Sequence, residues 1–229
     1  MIKSRIAIAG ALLAVAGAAN AAGFTATPTI ASDYDWRGIS QTEPDQNGMA
    51  PAFQLGLNYG FESGFYVGAW GSNVDFGPSD PSVEVDLFAG YSGGDSEAGI
   101  GYDVGVNTYN YPSASDINTW EAYAGISHGM FAGKLWFTTD FFDSGESAIY
   151  AEGNVSYPLP SNFSLMAHLG YSFGKTFSDA DAEYLDYSVG VGYTVGKFGL
   201  SAKYINTDIS NWPGDKVVLA ITTTLPWGG

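Results

Sequence analysis

The chain has 229 residues, 24 acidic against 8 basic, with a net charge of −16 and no cysteine. Such acidity excludes the Lys/Arg stripes that nucleic-acid phosphates require, and the lack of cysteine excludes closure by disulfides. Tyr (15), Phe (14), Trp (6) and Gly (31) are abundant, a mixture that suits an all-β protein with alternating apolar side chains.

The first segment reads MIKSRIAIAGALLAVAGAANAAG. Lys3 and Arg5 precede an apolar run from Ile6 to Ala18, and Ala19-Asn20-Ala21 fits small-x-small cleavage, the three-part pattern of a secretory signal peptide over residues 1–21. The run is shorter than the roughly 18–20 residues a membrane-spanning helix needs. Its removal leaves residues 22–229 as one domain that keeps six basic residues against 24 acids.

From there a period of two dominates. The first run, 27–39, includes SDYDWRG, which holds Arg37, the one arginine after the leader. The second, 50–61, sets Phe53, Leu55, Leu57 and Tyr59 against Gln54, Gly56, Asn58 and Gly60. Runs follow at 64–74, 82–91, 97–108, 118–127, 131–141, 147–157, 163–173, 184–195, 198–205 and 216–226. About twelve strands are therefore expected, within a range of 10–14. Long acidic connections such as YNYPSASDIN and GKTFSDADAE alternate with tight ones such as ESG and GK. Even strand number, long loops on one side and short turns on the other are the pattern of an antiparallel up-and-down outer-membrane barrel. A soluble β-sandwich also alternates. The barrel is favoured because aromatics sit near strand ends and because closure removes the exposed edges of a glycine-rich sheet.

With apolar residues facing lipid, the opposite phase assigns a pore lining of Asp33, Asp35, Arg37, Glu84, Asp86, Asp103, Glu121, Lys134, Asp140, Glu152, Asp186 and Lys203. Nine acids against three bases make an anionic bore that concentrates cations. The lipid-facing aromatic girdle is expected at Tyr34, Trp36, Phe53, Tyr59, Phe65, Tyr91, Tyr171, Phe173, Tyr193, Tyr204 and Trp227. Twelve strands lie between filled eight-stranded barrels and open 16-stranded ones, so Tyr123, Trp136 and Tyr150 could also block the bore. Arg37 is then a structural staple between carboxylates or a selectivity residue.

Several stretches look like the TorF family of porin-like proteins, also catalogued as the Gcw_chp family of proteobacterial outer-membrane proteins. These are ASDYDWRGISQT, GFYVGAWGSNVDFG, VEVDLFAGY, GYDVGVNTYNYP and AHLGYSFG with LDYSVGVGYTVGKFGLSAKYINTD. The resemblance extends from about Ala31 to Leu225 and implies an outer-membrane barrel of a Gram-negative bacterium that allows small solutes to diffuse. One departure is the end, TTTLPWGG, where Trp227 stands two residues short of the terminal aromatic that barrel assembly machinery reads in many such proteins.

No enzyme is expected. His128 falls in a turn and His168 stands alone on an inward position, without the serine-histidine arrangement of an outer-membrane hydrolase. No cofactor is expected, and no metal site beyond a weak candidate loop of Asp179, Asp181 and Glu183, which lacks the glycine turn of a defined calcium loop. The partners implied are membrane lipid and lipopolysaccharide, the assembly machinery, and small cationic or neutral solutes. The alternative is a structural or adhesive barrel whose acidic loops hold divalent cations without conduction.

Overall fold

The computed structural model describes residues 23–42, 50–77, 81–210 and 215–227; the expected signal peptide lies outside them. Twelve strands close into one antiparallel barrel. These are β1 (Gly23–Ala31), β4 (Ala52–Gly60), β5 (Phe65–Asn73), β6 (Val83–Gly94), β7 (Gly101–Asn110), β8 (Thr119–His128), β9 (Phe131–Thr138), β10 (Ala148–Pro158), β11 (Phe163–Phe173), β12 (Tyr184–Val195), β13 (Phe198–Thr207) and β14 (Lys216–Thr223). Each pairs with its sequence neighbour, and β1 closes on β14 through Thr29↔Thr222, Ile30↔Ile221 and Ala31↔Ala220. Strands of 8–12 residues match the roughly 9–11 that cross a bilayer when tilted.

The period of two decides which side chains are shielded. Along β4, Ala52 and Gln54 are buried inside while Phe53 and Leu55 are exposed outside. On β7, Asp103 and Asn107 are buried, while Tyr102, Val104 and Val106 are exposed. The outward face is apolar from end to end, carrying Leu87, Leu135, Leu169, Val189 and Leu219, each more than half exposed. Aromatics cluster at its two rims. Tyr59, Phe65, Tyr91, Tyr193 and Trp227 lie toward the short turns, and Phe53, Tyr171, Phe173 and Tyr204 toward the long loops.

The first run departs from expectation. It is not one strand through residue 39: β1 ends at Ala31, and a second element, β2 (Asp35–Trp36) with β3 (Ile39–Ser40), folds into the barrel. Ser32 still bonds the wall, its N–H donating to the Leu219 carbonyl at 2.8 Å. The chain then turns inward and pairs Asp35↔Ser40 and Trp36↔Ile39. Arg37 (φ 52°) and Gly38 (φ 82°) form the turn, with the two positive φ values of the primed turns that match strand twist. A side chain at Gly38 would strike Thr207 and Asp186 on the wall. Tyr34 and Trp36 keep the alternation of a strand, yet they belong to this hairpin. Neither faces lipid: Tyr34 is buried and Trp36 packs inside the barrel. Other bounds shift by a few residues. Residues 97–100 lie in a turn started by Asp95, whose side chain accepts from the Glu97 N–H at 2.9 Å.

Candidate functional site

The site is the barrel interior, which the hairpin divides. On the long-loop side β2 and β3 fill the bore. Tyr34 packs with Val74, Tyr109, Tyr111, Ile205 and Val218, and its ring lies 5.1 Å from Trp70. Asp33 is almost wholly enclosed and accepts from Thr42 Oγ1 at 2.8 Å and from the Ser40 hydroxyl. Lys216 on β14 ties the base of the hairpin, with Nζ 3.0 Å from Asp33 and 2.9 Å from Asp35.

Arg37 ties the tip. Its Nη2 donates to Glu121 Oε2 at 2.7 Å, with the two side chains 6% and 1% exposed. Tyr109 donates to the same oxygen at 2.7 Å. The guanidinium carbon sits 4.3 Å from the Trp36 ring centre and 4.2 Å from that of Tyr150. A planar, weakly hydrated cation is suited to such a sandwich in a way that an ammonium is not.

Below the tip a polar belt crosses the walls. Tyr66 on β5 donates to Asp103 on β7 at 2.5 Å and meets the Tyr123 hydroxyl on β8. Lys134 on β9 donates to Asp103 at 2.8 Å and lies 4.4 Å over the Tyr123 ring. Trp136 donates to Glu152 at 2.8 Å, and Asn154 to the other oxygen of Glu152 at 2.9 Å. His168 bridges Asn154 (2.8 Å) and Asp186 (2.9 Å), and Tyr150 donates to Asp186 at 3.1 Å. The rings fit because small residues lie beneath them: a Cβ at Gly105 would collide with Tyr123, and one at Gly170 with Tyr150. Past the belt the interior opens toward the short turns as a polar vestibule lined by Ser92, Gly101, Asp103, Ser127, Lys134 and Asn154.

Most residues expected to line a pore do turn inward, but they are paired rather than free in an open ring. Glu84, Asp86 and Lys203 are the exceptions, with no ion pair among the described residues. The two acids are buried on β6, where Glu84 accepts from Tyr34 (3.2 Å) and Asp86 from Asn107 (3.2 Å). Each keeps one carboxylate oxygen without a hydrogen-bond partner among the described residues. Lys203 points inward and makes no ion pair among the described residues. Asp140 does not line the bore: β9 ends at Thr138, and the Asp140 carboxylate caps a loop turn through the Gly145 N–H at 2.9 Å. Asp179, Asp181 and Glu183 form no set able to hold a metal ion among the described residues; Glu183 accepts from Tyr171 at 2.8 Å. Outside the strands, the Glu146 carboxylate holds the Lys175 ammonium above the ordinary lysine range.

Sequence reasoning missed Lys216 and the inward tyrosines Tyr66 and Tyr109. Lys216 shares the inward phase of Val218 and Ala220, so its placement was readable. The tyrosines were hidden because a phenol suits the membrane interface and a wet interior equally.

A closed twelve-stranded antiparallel barrel, apolar outside and polar within, has the fold of the outer-membrane porins. One solved KdgM porin structure aligns with a TM-score of 0.57 at 11% identity, over 87% of this chain and 97% of that one. A structure titled KdgM porin in complex with disordered oligogalacturonate aligns with a TM-score of 0.53 at 10% identity, over 88% and 96%. No curated protein matches the sequence. The family model described as bacterial protein of unknown function (Gcw_chp) matches residues 15–219, and the chain belongs to that family.

Proposed function

We propose that the protein is an outer-membrane channel for small solutes, stoppered at its outer mouth by the β2–β3 hairpin and cation-preferring when the hairpin moves. The porin role implied by the resemblance to TorF proteins is part of this proposal. Its membrane location is supported by the outward apolar face and its two aromatic rims, since a patch of that extent is not stable in water.

The observation that carries the proposal is how the hairpin is attached. The Arg37–Glu121 ion pair, the ion pairs of Lys216 with Asp33 and Asp35, and the hydrogen bond that Tyr34 donates to Glu84 tie it to the wall, and water can replace each of these. Apolar packing of Tyr34 and Trp36 adds to this attachment; the ion pairs are its releasable part, since buried pairs hold a structure less firmly than well-packed apolar groups of similar volume. Inside, Asp33, Asp35, Glu84, Asp86, Asp103, Glu121, Glu152 and Asp186 face Arg37, Lys134, Lys203 and Lys216. That excess of carboxylates favours cations over anions. The test is conductance of refolded protein in planar bilayers. Brief openings with a cation-selective reversal potential support the reading, and chloride selectivity refutes it.

The enclosed hairpin also favours a second reading, a non-conducting structural or adhesive barrel whose acidic loops bind divalent cations and, through them, lipopolysaccharide. The two part company when the stopper is loosened: a channel then conducts and a structural barrel stays silent. In either case Trp227 is proposed as an aromatic that the assembly machinery reads. It is 52% exposed, beside Phe198 at 6.1 Å.

A further inference from the structure

Above the hairpin, on the long-loop side, lies a cavity of about 230 Å³. Its walls come from separate segments: Trp36 of the hairpin, and Phe76, Tyr111, Phe141, Phe142 and Phe177 of four loops. Among the described residues, Gln41 is the one polar side chain in the wall other than the tyrosines and the Trp36 indole. Trp36 and Phe142 meet edge-on at 5.8 Å, Phe141 and Phe142 edge-on at 4.7 Å, and Phe141 lies 5.2 Å from Phe177.

The backbone is bent to build this cup. Phe142 (φ 49°) and Asp143 (φ 59°) are consecutive left-handed residues, a conformation that a bulky side chain rarely adopts. Strain of this kind persists where the surroundings demand it, and it collects at binding sites. Here it lets adjacent residues Phe141 and Phe142 both present rings to one cavity.

Each loop also sets a carboxylate beside its wall residue. Asp75 precedes Phe76, Asp143 follows Phe142, and Asp179 stands two residues past Phe177; all three acids are exposed. Asp116, also exposed, precedes Ile117, another wall residue. Besides the inward Arg37, Lys175 is the one cation in the described long-loop residues, and Glu146 engages it, with Asp179 at 3.9 Å. Aromatic faces attract cations through their quadrupoles, and clustered rings recognise quaternary ammonium groups. An acidic rim adds attraction for cations and repels anions. A neutral sugar would find few hydrogen-bond partners in these walls.

We infer that this cavity is a binding site for a small organic cation, an ammonium or quaternary ammonium group carried on an apolar body. It lies outside the stopper, so binding requires no conduction and is measured apart from it.

The test is calorimetric titration of the full-length protein, refolded in detergent, with choline and with its neutral isostere 3,3-dimethyl-1-butanol. Choline is expected to bind at least tenfold more tightly than the neutral isostere. Phe142→Ala with Phe76→Ala should weaken choline binding tenfold or more, and Asp75→Asn with Asp143→Asn several-fold, an effect that added salt reproduces. Retained heat-dependent gel mobility verifies that each variant is folded. Equal binding of the neutral isostere overturns the inference. So does absence of choline binding by folded protein, binding unchanged in the double phenylalanine variant, or preferential binding of glucose.

Discussion

Removing the Arg37 side chain tests the stopper most sharply. In Arg37→Ala, Glu121 stays 1% exposed beside Tyr109 but loses the cation 2.7 Å away. Breaking a buried pair from one side costs about 3–5 kcal/mol, and the lost stacking contact with Tyr150 on the wall adds about 0.5–2 kcal/mol. The left-handed turn position would cost an alanine about as much as the arginine, so it does not offset the loss. Because the twelve wall strands keep their pairing, the loss falls on hairpin docking rather than on the barrel. At 1.4 kcal/mol per factor of ten, the pair alone shifts the docked-to-released ratio by about two to three and a half powers of ten. The assay is open probability in planar bilayers, with proteolysis of the hairpin as a second reading. Openings should become frequent and the hairpin cleavable, while the gel shift on boiling persists. Arg37→Lys, which keeps the charge but not the planar stack, should fall between. Unchanged open probability with a protected hairpin would refute the reasoning.

Other outcomes follow from the same geometry. Lys216→Met leaves Asp33 and Asp35 without their shared cation and should release the hairpin from its base, raising open probability as Arg37→Ala does; a more tightly closed channel would count against the pairing. Gly170→Val drives a side chain into Tyr150, and overpacking of this kind costs about 1–3 kcal/mol, so refolding yield on gels should drop well below that of Gly153→Val, where nothing lies within 4 Å of the added Cβ. Trp227→Ala should lower the amount of folded barrel in outer membranes without changing refolding in detergent; equal loss in both would make Trp227 a stability residue instead.

The barrel was legible because one face of every strand is apolar and the other polar, so a period of two had to appear in residues such as Phe53-Gln54-Leu55 and Val104-Gly105-Val106. Strand number followed from counting these runs. The hairpin was not legible, because Tyr34, Asp35, Trp36 and Arg37 alternate as a wall strand would. Its turn carries Arg-Gly rather than the Asn-Gly or Asp-Gly that announces two positive φ values. Alternation reports which side a residue faces, but it cannot tell a wall from an element folded inside that wall. The interior phase was readable for Glu84, Asp103 and Glu121, whereas their partners were not. Pairing Lys134 with Asp103, or Arg37 with Glu121, depends on register across non-adjacent strands. Inward glycines read as spacers in sequence, yet at positions 105 and 170 they make room for rings reaching over from other strands.

A stoppered channel with an anionic interior is decided by the reversal potential of Arg37→Ala channels across a potassium chloride gradient. Openings are expected in that variant, with a potential on the potassium side of zero. A folded variant that never conducts, or one whose potential lies on the chloride side, would contradict such a channel.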